Sequence, residues 1–250
     1  MAVRFWQVAM MIGITSSVVF SGPLTDGLRL MGALGQSISL PNQLSIHRND
    51  GKQYVIDAVY RNRSFENYPY WTARLEWWQA GDSWEFEAIH HKIYLANPPA
   101  GIVDFSISDG YNMFFLNRGH YVKDWDVVGR LGAGVTFSHP DVTFSDRPRY
   151  YIHGWSGHRI SGWGVQMAIE KRFDVSASHY LSTELKVTAA YARSGISDDY
   201  QHDYAVAPDV AVHLVVGFGS HPVTDTSLGS IMGYLAPLAL PVSTYVFPNN

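Results

Sequence analysis

Apolar and polar side chains alternate with a period of two over long stretches of this chain. In residues 163–173, Trp163, Val165, Met167 and Ile169 share one face, while Gly164, Gln166, Ala168, Glu170 and Arg172 share the other. In residues 180–192, Leu181, Leu185, Val187, Ala189 and Tyr191 oppose Ser182, Glu184, Lys186, Thr188 and Ala190. Trp71, Ala73, Leu75 and Trp77 oppose Thr72, Arg74 and Glu76, and residues 125–137 set Trp125, Val127, Leu131, Val135 and Phe137 against Asp126, Arg130, Gly132, Gly134 and Thr136. Residues 103–115 and 209–218 follow suit. Period two is the pleat of a β-strand, so the pattern predicts an all-β protein.

Alternation alone does not say which face is inside. A soluble barrel turns its apolar face inward and a transmembrane barrel turns it toward lipid. Two features point to lipid. The polar face is rich in small residues (Ser106, Ser108, Gly110, Gly132, Gly134, Gly164, Ala168, Ala190), which suit a narrow interior. It also carries both signs of charge, Arg61, Arg74, Arg130, Arg172 and Lys186 against Asp57, Glu76, Glu85, Asp104, Glu170 and Glu184, which a closed lumen requires to be paired. Composition agrees: 16% of residues are charged and 14% aromatic, against about a quarter charged in soluble domains. The aromatic residues then have a destination in interfacial girdles. Net charge is −4 with no basic stripe, which excludes a nucleic-acid partner. There is no cysteine, hence no disulfide, thiolate metal site or cysteine nucleophile.

The first residues differ. Arg4 precedes an uncharged, mostly apolar stretch over residues 5–20, and Val19 and Ser21 stand at the −3 and −1 positions of a cleavage site. This predicts a signal peptide over residues 1–21. Beyond it no window reaches the about 18 apolar residues of a spanning helix. Short links (Ala80-Gly81-Asp82 and residues 174–178) alternate with long ones (residues 139–160 and 194–204), as periplasmic turns alternate with external loops. The expectation is an antiparallel transmembrane β-barrel over residues 52–219 with eight strands, both ends in the periplasm. Residues 22–51 hold a further strand, 28–38, which either lies outside the barrel or, with a partner from residues 228–247, brings the count to ten. The tail, residues 220–250, contains Pro222, Pro237, Pro241 and Pro248, which argue against a central strand there.

No P-loop, dinucleotide fingerprint, H-E-x-x-H, G-x-S-x-G or EF-hand loop occurs, and no cofactor or metal is expected. Histidine is the residue to follow, with 11 in the chain. Around His90-His91 the polar-face parity of Glu85 and Glu87 passes to Ile93 and Leu95, which predicts a β-bulge, a device that re-aims side chains. Across the next loop come Ser106 and Asp109, the latter on the lipid parity and costly unless paired. Ser138-His139-Pro140-Asp141, with His153 and His158, concentrates the ingredients of acyl transfer, although neighbours Ser138 and His139 would point to opposite faces. The histidines lack a tight metal-ligand spacing. Glu184 and His213, both mid-strand on the polar face, are expected to meet across the lumen. Candidate site residues are therefore His90, His91, Ser106, Asp109, Ser138 and His139.

At this level the chain resembles the small outer-membrane barrels of Gram-negative bacteria, the OmpA-, OmpX- and OmpW-like proteins, over residues 52–219. The lipid A-modifying barrels of the PagL and PagP type share the architecture. The deacylase resemblance implies a His and a Ser two residues apart on a strand with a Glu further on. No H-x-S occurs here, and Ser138-His139 with Glu170 or Glu184 has the wrong arrangement, so no catalytic residue carries over. The expectation is an outer-membrane barrel with a filled polar lumen and a non-porin role, its partners being outer-membrane lipid and lipopolysaccharide. An enzyme acting on lipid A or phospholipid acyl chains is the alternative, and a soluble secreted barrel binding a hydrophobic ligand the third reading.

Overall fold

The computed structural model describes residues 19–20, 24–66, 69–151 and 159–222. Eight long strands form the frame: β1 (Gly27–Ser39), β2 (Trp71–Gln79), β3 (Asp82–Leu95), β4 (Ile102–Val122), β5 (Val127–Ser138), β6 (Arg159–Asp174), β7 (His179–Gly195) and β8 (Asp209–Ser220). Each pairs antiparallel with its chain neighbours, and β8 returns to β1 from Ala211↔Ser39 to Gly219↔Met31, which closes an up-and-down ring. Closure leaves no sheet edge along the shared span, the condition for crossing a bilayer with strands. Every one of the eight presents exposed apolar side chains outward, such as Leu34, Trp77, Phe86, Leu116, Leu131, Met167, Leu185 and Leu214. A soluble barrel has the reverse arrangement.

Short turns join the strands at one end. At Ala80-Gly81 both residues have positive φ (51° and 86°), the hairpin geometry whose twist matches the strands, and glycine takes it without strain. The β4–β5 turn (residues 123–126) and the β6–β7 turn (residues 175–178) lie at the same end, with Gly27 and Ser220. Short turns gathered at one end are what the rule for periplasmic turns leads one to expect of a periplasmic end.

The long connections form a cap at the other end. Strands Asn42–His47, Gln53–Ala58 and Tyr204–Val206 make a small sheet joined to the top of β7, Asp141–Phe144 pairs with β4, and Tyr60–Arg61 pairs with β3. Beneath lies an apolar core of Leu44, Ile46, Ile93, Phe105, Ile107 and Val142 with their neighbours. The barrel wall thus encloses charge in its lower part and hydrocarbon in its upper part.

Three expectations change. The ring has eight strands, but Gly27–Ser39 is one of them, and Gln53–Ala58 lies in the cap. Residues 27–39 are long enough to span the wall, whereas the strand at 53 is six residues long. Strand β3 does not slip phase: Ser83, Glu85, Glu87, Ile89, His91, Ile93 and Leu95 are all buried on one parity. What changes at His91 is the chemistry of the interior. The register does shift there, between His91↔Tyr111 and Ile93↔Ile107, but the excess is on β4, where Ser108, Asp109 and Gly110 stand opposite the single residue Lys92. Finally, β4 turns Phe105, Ile107, Tyr111, Met113 and Phe115 into the molecule, so Ser106 and Ser108 do not share the interior parity.

Ion pairs clasp the cap. Arg48 bonds Asp146 at 2.9 Å and Asp50 at 2.7 Å, Lys52 bonds Asp146 at 2.7 Å, and Arg147 reaches Asp203 at 3.0 Å. Hydrogen bonds from Arg48 and Lys52 hold the Asp146 carboxyl well below the usual carboxylate range. A depressed folded-state value contributes stability above the ordinary value of about 4 and loses it as pH falls through the depressed one. The clasp of the wild type should therefore persist at about pH 4 and loosen only on stronger acidification, whereas Asp146→Asn should loosen it already at neutral pH. Hydrogen exchange of residues 48–52 reads this directly; identical neutral-pH protection in the two proteins would contradict it.

Candidate functional site

The lower lumen is an ion-pair lattice. Among the described residues, four cationic side chains, Arg74, Arg130, Arg172 and Lys186, are buried there with five carboxylates, Glu76, Glu85, Glu87, Glu170 and Glu184, while the buried Arg29 bonds Thr25 and His221 instead. Arg130 on β5 reaches Glu85 at 2.6 Å, Glu170 at 2.6 Å and Glu184 at 3.1 Å. Arg74 on β2 reaches Glu184 at 2.7 Å, Glu76 at 2.9 Å and Glu170 at 3.3 Å. Arg172 binds Glu76 and Glu170, each at 2.8 Å, beneath the rings of Trp78 and Tyr180. Above them Glu87 accepts from Thr72, Asn117, Gln166 and Lys186. Gly132 has a steric reason: a Cβ there would lie 1.8 Å from Asn117 Oδ1. Glu184 and His213 do not meet. Glu184 is drawn down to Arg74, while His213 bonds Thr188 Oγ1 at 2.8 Å in the layer above.

That upper layer holds the chemistry of most interest. His91 is fully buried, with Nδ1 2.9 Å from Ser37 Oγ and Nε2 3.0 Å from Asp209 Oδ2. Ser39 Oγ lies 3.3 Å from the same Nε2, and the His213 ring stands edge-on at 5.4 Å. In the tautomer with the hydrogen on Nε2, the ring donates to the Asp209 carboxyl and Nδ1 accepts from the Ser37 hydroxyl, so both contacts are hydrogen bonds. Ser–His–Asp in this order of hydrogen bonds is the arrangement of an activated serine, with the two ring nitrogens exchanged relative to the usual template.

The wall beside this layer is not a strand. Pairing of β2 ends at Leu34↔Trp71 on one side and Trp71↔His90 on the other, while β1 runs on to Ser39 and β3 to Leu95. Side chains from residues 62–66 fill the missing place. Asn62 Oδ1 accepts from Ser39 N at 2.8 Å and its Nδ2 donates to Lys92 O at 3.0 Å, so one amide bridges both banks. Ser64 Oγ accepts from Ser37 N at 3.2 Å.

The six candidate residues go to separate places. His91 enters the Ser37–Asp209 constellation. His90 points the other way, stacked on Trp71 at 5.8 Å with Nδ1 2.8 Å from Asn112 Oδ1. Asp109, in the β4 bulge, accepts from the Tyr151 hydroxyl and lies 3.4 Å from His139 Nδ1; the inward turn of Ile107 and Tyr111 removes it from the lipid parity that the alternation predicted. His139 stacks on Tyr151 at 5.6 Å. Ser138, its chain neighbour, bonds Ser194 instead, and Ser106 sits opposite Asp141 and Tyr94. His153 and His158 lie outside the described residues, as do residues 1–18 of the expected leader and the tail from residue 223.

Ser37 and Asp209 were not legible as site residues. Ser37 sits in a small-residue strand, and Asp209 opens β8 without a motif; only closure of the ring brings them to His91. The one available signal was the His pair itself.

No protein-family model matches the chain, and no curated protein matches it in sequence. Among solved structures it is similar to the outer membrane protein AlkL, with 10% identity over 86% of this chain and 100% of the other at a TM-score of 0.43. It is similar to OprG from Pseudomonas aeruginosa, with 10% identity over 80% of this chain and 98% of the other at 0.41, and to Neisserial surface protein A, with 10% over 78% and 97% at 0.37. Likenesses this loose say nothing of the role. It is the closed ring, the outward apolar residues of all eight strands and the paired charges within that make this chain a transmembrane β-barrel of the outer-membrane type.

Proposed function

We propose that the chain works as a sealed outer-membrane barrel with a non-porin role, a rigid support that holds its cap at the bacterial surface. The observation that carries this is the lattice around Arg74 and Arg130, which ties β2, β3, β5, β6 and β7 together across the axis. An aqueous pore leaves its lining charges to water, whereas these side chains spend their hydrogen bonds on one another. The immediate partner is the surrounding lipid. Arg159 and Arg193 are exposed at the cap end just above exposed Trp163 and half-exposed Tyr191, where the phosphates of lipopolysaccharide would lie.

Reconstituted into planar bilayers, the protein should give no large steady conductance at moderate voltage; stable single-channel steps would sink the proposal. Within the lattice, Arg74→Met should destabilise the barrel by about 3–5 kcal/mol, because it strands buried carboxylates without their counter-ion. The shift of the heat-modifiable transition on a gel measures it. An unchanged midpoint would show that the lattice does not hold the strands together.

A further inference from the structure

We propose that Ser37 is the nucleophile of an acyl-ester site that opens sideways through the break in the barrel wall. This goes beyond the sealed-barrel reading and does not require it, since the entry is lateral and not axial.

Three independent features of the structure meet at this point. The first is the hydrogen-bond order described above, which leaves a base nitrogen 2.9 Å from a serine hydroxyl. The second is the interruption of the wall at the same height. Above Trp71 the place between β1 and β3 is taken, among the described residues, by the strap of residues 62–66, whose Asn62 and Ser64 side chains bond the neighbouring strands. Ser37 and Ser39, whose amides donate to Ser64 and Asn62, line one bank of the break. The third is what lies outside. Ile38, the outward neighbour of Ser37, is 59% exposed, and Val59 and Phe65, flanking the strap, are 46% and 71% exposed. Apolar surface thus flanks the break at the level where the lipid-facing wall passes into the cap, a surface that suits an acyl chain, so the molecule proposed at the door is the acyl part of a membrane lipid. Ser37 is buried here, so the strap is closed in this conformation. The bonds of Asn62 and Ser64, with those from Lys92 Nζ to Glu66 O and from Tyr70 N to Ser64 O, hold the strap and are what opening must loosen.

The chemistry balances with water as the only co-reactant. Ser37 Oγ attacks the ester carbonyl while its proton passes to His91 Nδ1. The ester C–O bond breaks and the alkoxide leaves with that proton as the alcohol, which gives acyl-Ser37. Water, deprotonated by the same Nδ1, hydrolyses the acyl-enzyme to the free fatty acid and restores Ser37. Asp209 is a positioning residue: by accepting from Nε2–H it keeps Nδ1 free to act as base. Asp209→Asn is isosteric, but its amide can donate to Nε2, moving the hydrogen to Nδ1 and removing the base.

The test uses the full chain folded in detergent micelles, each variant first shown to be folded by heat-modifiable migration. A long-chain alkyl fluorophosphonate is the covalent probe and a long-chain p-nitrophenyl ester the substrate. Peptide mapping of the wild type should place the adduct on Ser37. Ser37→Ala should abolish labelling, and Asp209→Asn should lower labelling and kcat by about 100-fold or more with KM little changed. Ser64→Ala, which removes one latch of the strap, should raise the labelling rate. Folded wild type that takes no label at Ser37 and turns over no ester overturns the proposal. Labelling that survives in Ser37→Ala does the same, and an unchanged rate in Ser64→Ala overturns the lateral entry. Because mapping is done on the wild type, a variant that fails to fold does not rescue the idea. Conductance is a separate measurement, so its outcome bears only on the sealed barrel.

Discussion

A closed β-wall around a narrow axis leaves its interior charges little access to bulk water, and they must therefore find partners within the wall, most of them on other strands. This constraint organises the lower part of the molecule. Arg130 and Arg74 each serve carboxylates from several strands, so sliding one strand against the next would strand several charges at once. Register, which period two alone specifies only weakly, is pinned by this lattice. Glycines at the contact points, such as Gly132 beneath Asn117, keep the interior narrow enough for the pairs to meet.

The same strands run on above the lattice, and there the surroundings reverse. In the membrane-spanning part the outer face meets hydrocarbon and the inner face is polar. In the cap the outer face is wet and the inner face is apolar, as in a soluble barrel. Strand β3 records the change without breaking stride, its buried parity passing from Glu85 and Glu87 through His91 to Ile93 and Leu95. The His91 layer is the boundary between the two regimes. A buried Ser–His–Asp chain is affordable there because partners come from both sides. The wall break beside it follows from β2, which stops short while β1 and β3 continue into the cap.

Much of the frame is legible residue by residue. The alternation of residues 163–173 and 180–192, the Ala80-Gly81 turn, and the opposed charges of Arg74, Arg130, Arg172 and Lys186 with Glu76, Glu85, Glu170 and Glu184 all predict what is present. The face assigned to β4 is not legible, because period two names two faces without naming the inside, and the inside of this barrel changes character along its axis. Nor is the choice between residues 27–39 and 53–58 as the first strand. Both alternate, and only the partner available at β8 decides between them.

Composition and periodicity by themselves determined that this chain is a barrel of strands with a lipid-facing exterior and a charge-balanced interior, because those properties are local and repeat along every strand. Tertiary structure alone decided which side chains share a layer. Ser37 and Asp209 lie near opposite ends of the described chain and meet His91 only when β8 pairs with β1. Glu184 and His213, which sequence spacing would join, are separated because Arg74 and Thr188 offer each a nearer partner. The physical reason is the same in both cases: contact across a lumen depends on ring closure and relative strand height, and neither is written in the spacing of residues along one strand.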